Sequence, residues 1–232
     1  MKSEELALVQ GWADTRASLG RWNARPASVL LPWALGSLAV AVLLLVATWA
    51  VAELSSADPW GAGFPGVTHP ADLGDFGFVL FRNGLVLALH SLACVAGFMA
   101  GSSLPQVAEG YSGLWRRVHD LAGPLAILFV VAATLFSLVT QAYALGRGAA
   151  DLAAALGISP ALLMLGLLPH ALAELFALFL PLAAWTIASH RGRWSELLAA
   201  TFVTTAIAVP ILLVAGAIEV WVSPRLLVTL GG

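Results

Sequence analysis

Charge is what this chain has least of. Among its 232 residues only 11 are Lys or Arg and 13 are Asp or Glu, which is 10% of the sequence. Ordinary globular domains carry about 25% charged residues. So few cannot clothe a water-facing surface, and a soluble enzyme of ordinary design is excluded. Cysteine is nearly absent as well: the single Cys94 supports neither a disulfide framework nor a cysteine-based zinc module. With a net charge of −2 and no basic run, nucleic acid is not an expected partner. No secretory signal is expected either, because residues 1–25 are the most polar stretch and no small-residue cleavage site follows them.

What is present is apolar. Hydrophobic residues make up 60% of the chain, and the mean hydropathy is +0.91. That content excludes intrinsic disorder and points to an all-α, polytopic membrane helix bundle. A hydrocarbon core about 30 Å thick takes roughly 20 apolar residues in helix. Five segments are long enough: 28–54, 76–104, 121–145, 158–188 and 196–222. Residues 26–232 therefore read as one transmembrane domain. In the polar arm before it, Leu6, Val9, Trp12, Leu19 and Trp22 recur at helical steps, which suits a cytoplasmic amphipathic helix at the membrane surface. The 55–75 connection is rich in Gly, Pro and Asp, the chemistry of turns, and is long enough to fold back on the bundle.

Basic residues set the expected orientation. With the N-terminus in the cytoplasm, eight of the 11 basic residues lie inside and only Arg82, Arg147 and Arg225 outside. The positive-inside rule then gives a multi-pass protein of the cell (inner) membrane, N-terminus cytoplasmic and C-terminus external. Trp33, Trp49, Trp115, Trp185, Trp194 and Trp221 lie near the ends of the segments and read as interfacial anchors.

Ionisable side chains are expensive inside a bilayer, so each is a candidate for function. His90 lies in the second segment, His170 and Glu174 in the fourth, and Glu219 in the fifth; Asn83 and Gln141 add neutral polarity. His170 and Glu174 are four residues apart and share a helix face. Such a pair can relay a proton, supply metal ligands together with His90, or simply hold helices together by hydrogen bonds. No close His or Cys spacing supports a metal, and neither metal nor other cofactor is expected. No Ser or Cys nucleophile is paired with a histidine, so no catalytic site is expected. Proline frees a backbone carbonyl and kinks a helix. Pro169 and Pro181 interrupt the fourth segment, and straight helices would leave Glu219 about 15 Å from the level of His170 and Glu174. The expectation is a broken or re-entrant fourth segment that lifts His170 and Glu174 to Asn83 and Glu219, with His90 peripheral and Gln141 nearby. Ala93, Gly97 and Gly101 form a small-residue stripe for close helix packing, within the bundle or across a dimer.

The run Leu168-Pro169-His170-Ala171-Leu172-Ala173-Glu174-Leu175 resembles a signature of the stage II sporulation protein M family, in which Pro-His-Gly is followed by a glutamate and leucine. Phe81-Arg82-Asn83 resembles that family's asparagine-led helix entry. Ala217-Ile218-Glu219 with Pro224 resembles its terminal helix. Order, spacing and the five-span layout match over roughly residues 1–230. Two positions depart: Ala171 stands for the glycine, and Gln141-Ala142 for an Asn-Gly at the end of the third span. His90 matches no family motif. The resemblance implies a scaffold or membrane-remodelling component that works as an oligomer, with membrane-protein or cell-wall-hydrolase partners, and it groups His170, Glu174, Asn83 and Glu219. Transport of a small solute or ion through the same polar residues is the alternative reading.

Overall fold

The computed structural model describes residues 3–61, 63–103 and 112–231. Five of its helical stretches are long and apolar enough to cross a membrane, and the chain is a polytopic helix bundle. Helix α1 (Ser3–Ala24) turns at Pro26 into α2 (Ala27–Leu54). Asp72 then starts α3 (Leu73–Phe98) with a reciprocal cap: its carboxylate accepts from the Gly74 and Asp75 amides, and Asp75 accepts from the Asp72 amide. Such caps satisfy the amides that the first turn leaves free. A wide π-helical turn, Met99–Ser103, ends this segment; Leu104, its expected end, lies outside the described residues.

Helix α4 runs from Gly113 to Leu156, well past the expected end at residue 145. It stops at Gly157, whose φ of +67° is the left-handed conformation that glycine adopts freely. Ser159 caps α5 (Pro160–His190), with Pro160 in the first turn, where its missing amide costs nothing. A short 3-10 turn leads to α6 (Leu197–Ala217), a π-helical turn (Ile218–Val222) and α7 (Ser223–Gly231).

Helix α5 is the centre of the bundle. Almost every side chain from Leu175 to Trp185 is buried, as expected of a helix apolar on all sides, and α2, α3 and α6 pack around it. Helix α4 lies at the periphery and packs chiefly on α2; Phe129, Phe136 and Val139 face outwards. The 55–75 connection does fold back, for Phe64 and Val67 pack on the cluster formed by Ala52, Leu152, Leu163 and Leu227.

The fourth segment is not broken. Pro169 and Pro181 both lie inside one uninterrupted helix. Neighbouring side chains supply donors around Pro181: Ser37 donates to the Phe176 carbonyl, His90 Nδ1 to Leu178 (2.8 Å) and Cys94 to Pro181 (3.2 Å). Donors of this kind let a membrane helix carry proline without unwinding. The irregularity sits in the fifth segment, where the π-helical turn precedes Pro224 and loosens the ladder at the Val220 carbonyl that Pro224 cannot engage.

Two expected anchors belong to the core instead. Trp33 packs edge-on against Trp22 at 5.2 Å, and Trp185 is buried among α3 and α6 side chains; Trp115 lies outside the described side chains. Helix α1 likewise does more than lie on a surface. It seats Trp22 and Leu19 against α2, α5 and α6, while Val9 and Trp12 stay exposed.

Candidate functional site

Helix length settles where the polar residues meet. The fifth segment continues as helix to Gly231, nine residues past its expected end, and Gly231 lies beside Leu156 and Ile158. Counted from that end of the bundle, Glu219 is twelve residues deep, His170 ten residues into α5 and Asn83 ten residues into α3, or about 15–18 Å each. They share a level because the fifth helix is longer than expected; no break in the fourth is required.

At that level Arg82, on α3, reaches across two helices. Its Nη2 is 3.6 Å from Glu219 Oε1 and 3.9 Å from Glu174 Oε1. Both distances are beyond direct hydrogen bonding, so these are charge contacts. The Glu174 carboxyl also neighbours Glu219 and Asn83. His170 is held at its Nδ1 by Ser223 Oγ, 2.6 Å away on α7. This corrects the expected His170–Glu174 pair: Ser223 fixes the imidazole, and Glu174 turns to Arg82. Four elements therefore meet at one polar cluster built from Arg82, Asn83, His170, Glu174, Glu219 and Ser223.

The cluster is closed on most sides. Asn83 is 2% exposed, His170 5% and Glu219 9%; the Arg82 side chain alone is half-exposed, at 47%. Two buried atoms within it, Asn83 Nδ2 and Glu219 Oε2, have no hydrogen-bond partner. One guanidinium faces two carboxylates, an imbalance that a proton or small cation would correct.

His90 and Gln141 lie apart from this cluster. His90 is two turns along α3 from Asn83, with Nδ1 on the Leu178 carbonyl and its ring 5.4 Å from Phe179. A carbonyl can only accept, so Nδ1 carries the hydrogen and His90 acts as a brace on α5. Gln141 donates to Ser137 one turn back on its own helix. Among the described residues no three His, Cys, Asp or Glu side chains converge as a metal-ligand set.

The small-residue stripe serves contacts within one protomer. Ala93 is buried in the main core. A side chain at Gly97 would meet Leu197 and Trp185 at 2.7–2.8 Å, and one at Gly101 would collide with Trp194. These glycines bring α3 close to α5 and to the start of the fifth segment, and a dimer need not be invoked for them.

Arg82 and Ser223 are the members that sequence reasoning missed. By the positive-inside rule Arg82 counts as an external charge, although it stands beside Asn83 and inside the apolar run. Ser223, four residues after Glu219, carried no signal of its own until α7 was known to continue the helix. Comparison of the chain with protein-family models, with curated proteins and with solved structures finds no match.

Proposed function

We propose that this chain is an integral membrane scaffold or membrane-remodelling component of the cell membrane, with α1 and the start of α2 on the cytoplasmic side and the C-terminus external. The closed polar cluster carries this reading. Arg82, Glu174, Glu219 and the His170–Ser223 bond join α3, α5, the π-helical turn and α7 at mid-depth, which makes the bundle a braced platform. Arg21 on α1 pairs with Glu196 at 3.2 Å, so the arm is held at the basic end as a surface for partners. The resemblance to the stage II sporulation protein M family supports the same role, including assembly with copies of itself or with cell-wall hydrolases.

Transport is the second reading, and two observations favour it. Glu219 sits in a π-helical turn, a feature frequent at functional sites, and the carboxylates outnumber the guanidinium beside them. Proteoliposomes filled with pH- and Na⁺-sensitive dyes separate the two readings. A scaffold gives no flux above empty vesicles, and Glu174→Gln changes only stability. Flux that disappears in a folded Glu174→Gln variant would establish transport and defeat the scaffold.

A further inference from the structure

A second polar feature lies at the opposite end of the bundle and takes no part in the cluster. Helices α2 and α5 touch closely at Gly36, where a side chain would stand 3.2 Å from Ala183 Cβ. Beyond that contact, towards the N-terminus of α2, a shallow cleft opens to the outside between α2, α5 and the start of α6. Ser28 and Pro32 form one wall, Ile187 the other, and Arg191, Arg193 and Glu196 form the mouth.

Charge at the mouth is unbalanced in favour of an anion. Glu196 is engaged by Arg21 at 3.2 Å and Arg193 at 3.9 Å. Arg191 makes no ion pair among the described residues. One carboxylate is thus shared by two arginines while a third stands open. The depth identifies the anion's source. Arg191 follows directly on the end of α5 at His190, and Ser28 lies in the first turn of α2, so the cleft is at the boundary between hydrocarbon and head groups. Leu31 and Leu35 follow Ser28 and Pro32 on one helical face, and both are 57% exposed. A bound molecule with a phosphate at the arginines could lay an acyl chain along these leucines.

We propose that this cleft is a binding site for an anionic phospholipid, with its phosphate between Arg191 and Arg193 and its acyl chain on the exposed flank of α2. Basic pockets between membrane helices hold lipid head groups by this combination of charge and depth. Glu196 limits the site to one phosphate by occupying Arg193 in part. The inference is independent of whether the bundle transports or scaffolds.

The test uses the full chain in nanodiscs of phosphatidylcholine, with or without phosphatidylglycerol. Phosphatidylglycerol should raise the thermal midpoint by about 5 °C, as binding to the folded state does. Arg191→Gln and Arg193→Gln should each weaken the apparent affinity about fivefold while leaving the midpoint in pure phosphatidylcholine unchanged. Arg16→Gln, at the same end but outside the cleft, should keep the full rise. Equal losses for Arg16→Gln and Arg191→Gln would reduce the effect to surface charge and overturn the proposal. The same rise on adding inorganic phosphate to phosphatidylcholine discs would overturn the lipid as source. A variant that is already destabilised in phosphatidylcholine is judged by phosphatidylglycerol retained through delipidation, read by mass spectrometry. Retention equal to that of the parent chain would count against the site.

Discussion

Helix α5 holds two prolines in 31 residues and stays helical throughout, whereas the helix from Leu197 to Gly231 widens into a π-helical turn just before Pro224. Both stretches supply a carboxylate to the same cluster. Their surroundings differ. Around Pro181, three donors from α2 and α3 reach the carbonyls of α5. Before Pro224, the loosened Val220 carbonyl has the Gly66 region of the 55–75 connection as its neighbour. Proline alone therefore does not decide where a membrane helix deforms: Pro32, Pro124, Pro169 and Pro210 also lie within regular helix, and around Pro181 side-chain donors from α2 and α3 brace the turn. The deformation lies where Glu219 must meet Arg82, and the regular helix lies where the core is most tightly packed.

Removing the charge that links the two stretches should have the largest effect. Arg82→Leu leaves Glu174 and Glu219 facing each other at mid-depth without a cation; with Arg82 half-exposed and its contacts at 3.6 and 3.9 Å, the loss is about 2 kcal/mol. The thermal midpoint in nanodiscs should fall accordingly, and adding Glu219→Gln to Arg82→Leu should recover part of the loss. If the double variant is no better than the single, Arg82 does not balance Glu219.

A smaller effect is expected from the other half of the comparison. His90→Leu keeps the volume near α5 but removes the donor to Leu178, a loss of about 1 kcal/mol. The protein should stay folded, and amide exchange around Pro181 should rise while that around Glu219 does not. Equal change at both places would mean that the side-chain donors do not explain why α5 stays regular.

Much of this architecture is legible in the sequence, and the reasons are physical. Long apolar runs and scarce charge define five spans, and intramembrane polarity marks His170, Glu174, Asn83 and Glu219 without any coordinates. Depth is less legible. A fifth span that ends at residue 222 leaves Glu219 shallow, and only a break at Pro169 would then close the gap. The modest apolar run after Pro224, Leu226-Leu227-Val228, is what carries the helix onwards and brings Glu219 to depth. Arg82 was hidden by its use as a topology marker. A guanidinium can serve two carboxylates on other helices only when three helices converge, and a linear sequence does not display that convergence. Small-residue spacing predicted close packing at Gly97 and Gly101 but not the partner, which the bulk of Trp185 and Trp194 supplies.

An unbroken α5 places His170 level with the start of α7. Disulfide formation in native membranes tests it directly, with Cys94→Ser as background to preserve the bond to α5. The pair His170→Cys and Ser223→Cys replaces side chains now 2.6 Å apart and should cross-link on mild oxidation. His170→Cys with Ala208→Cys, displaced along the fifth segment by about 22 Å, should not. Cross-linking of the second pair without the first would place His170 at another level and contradict the account.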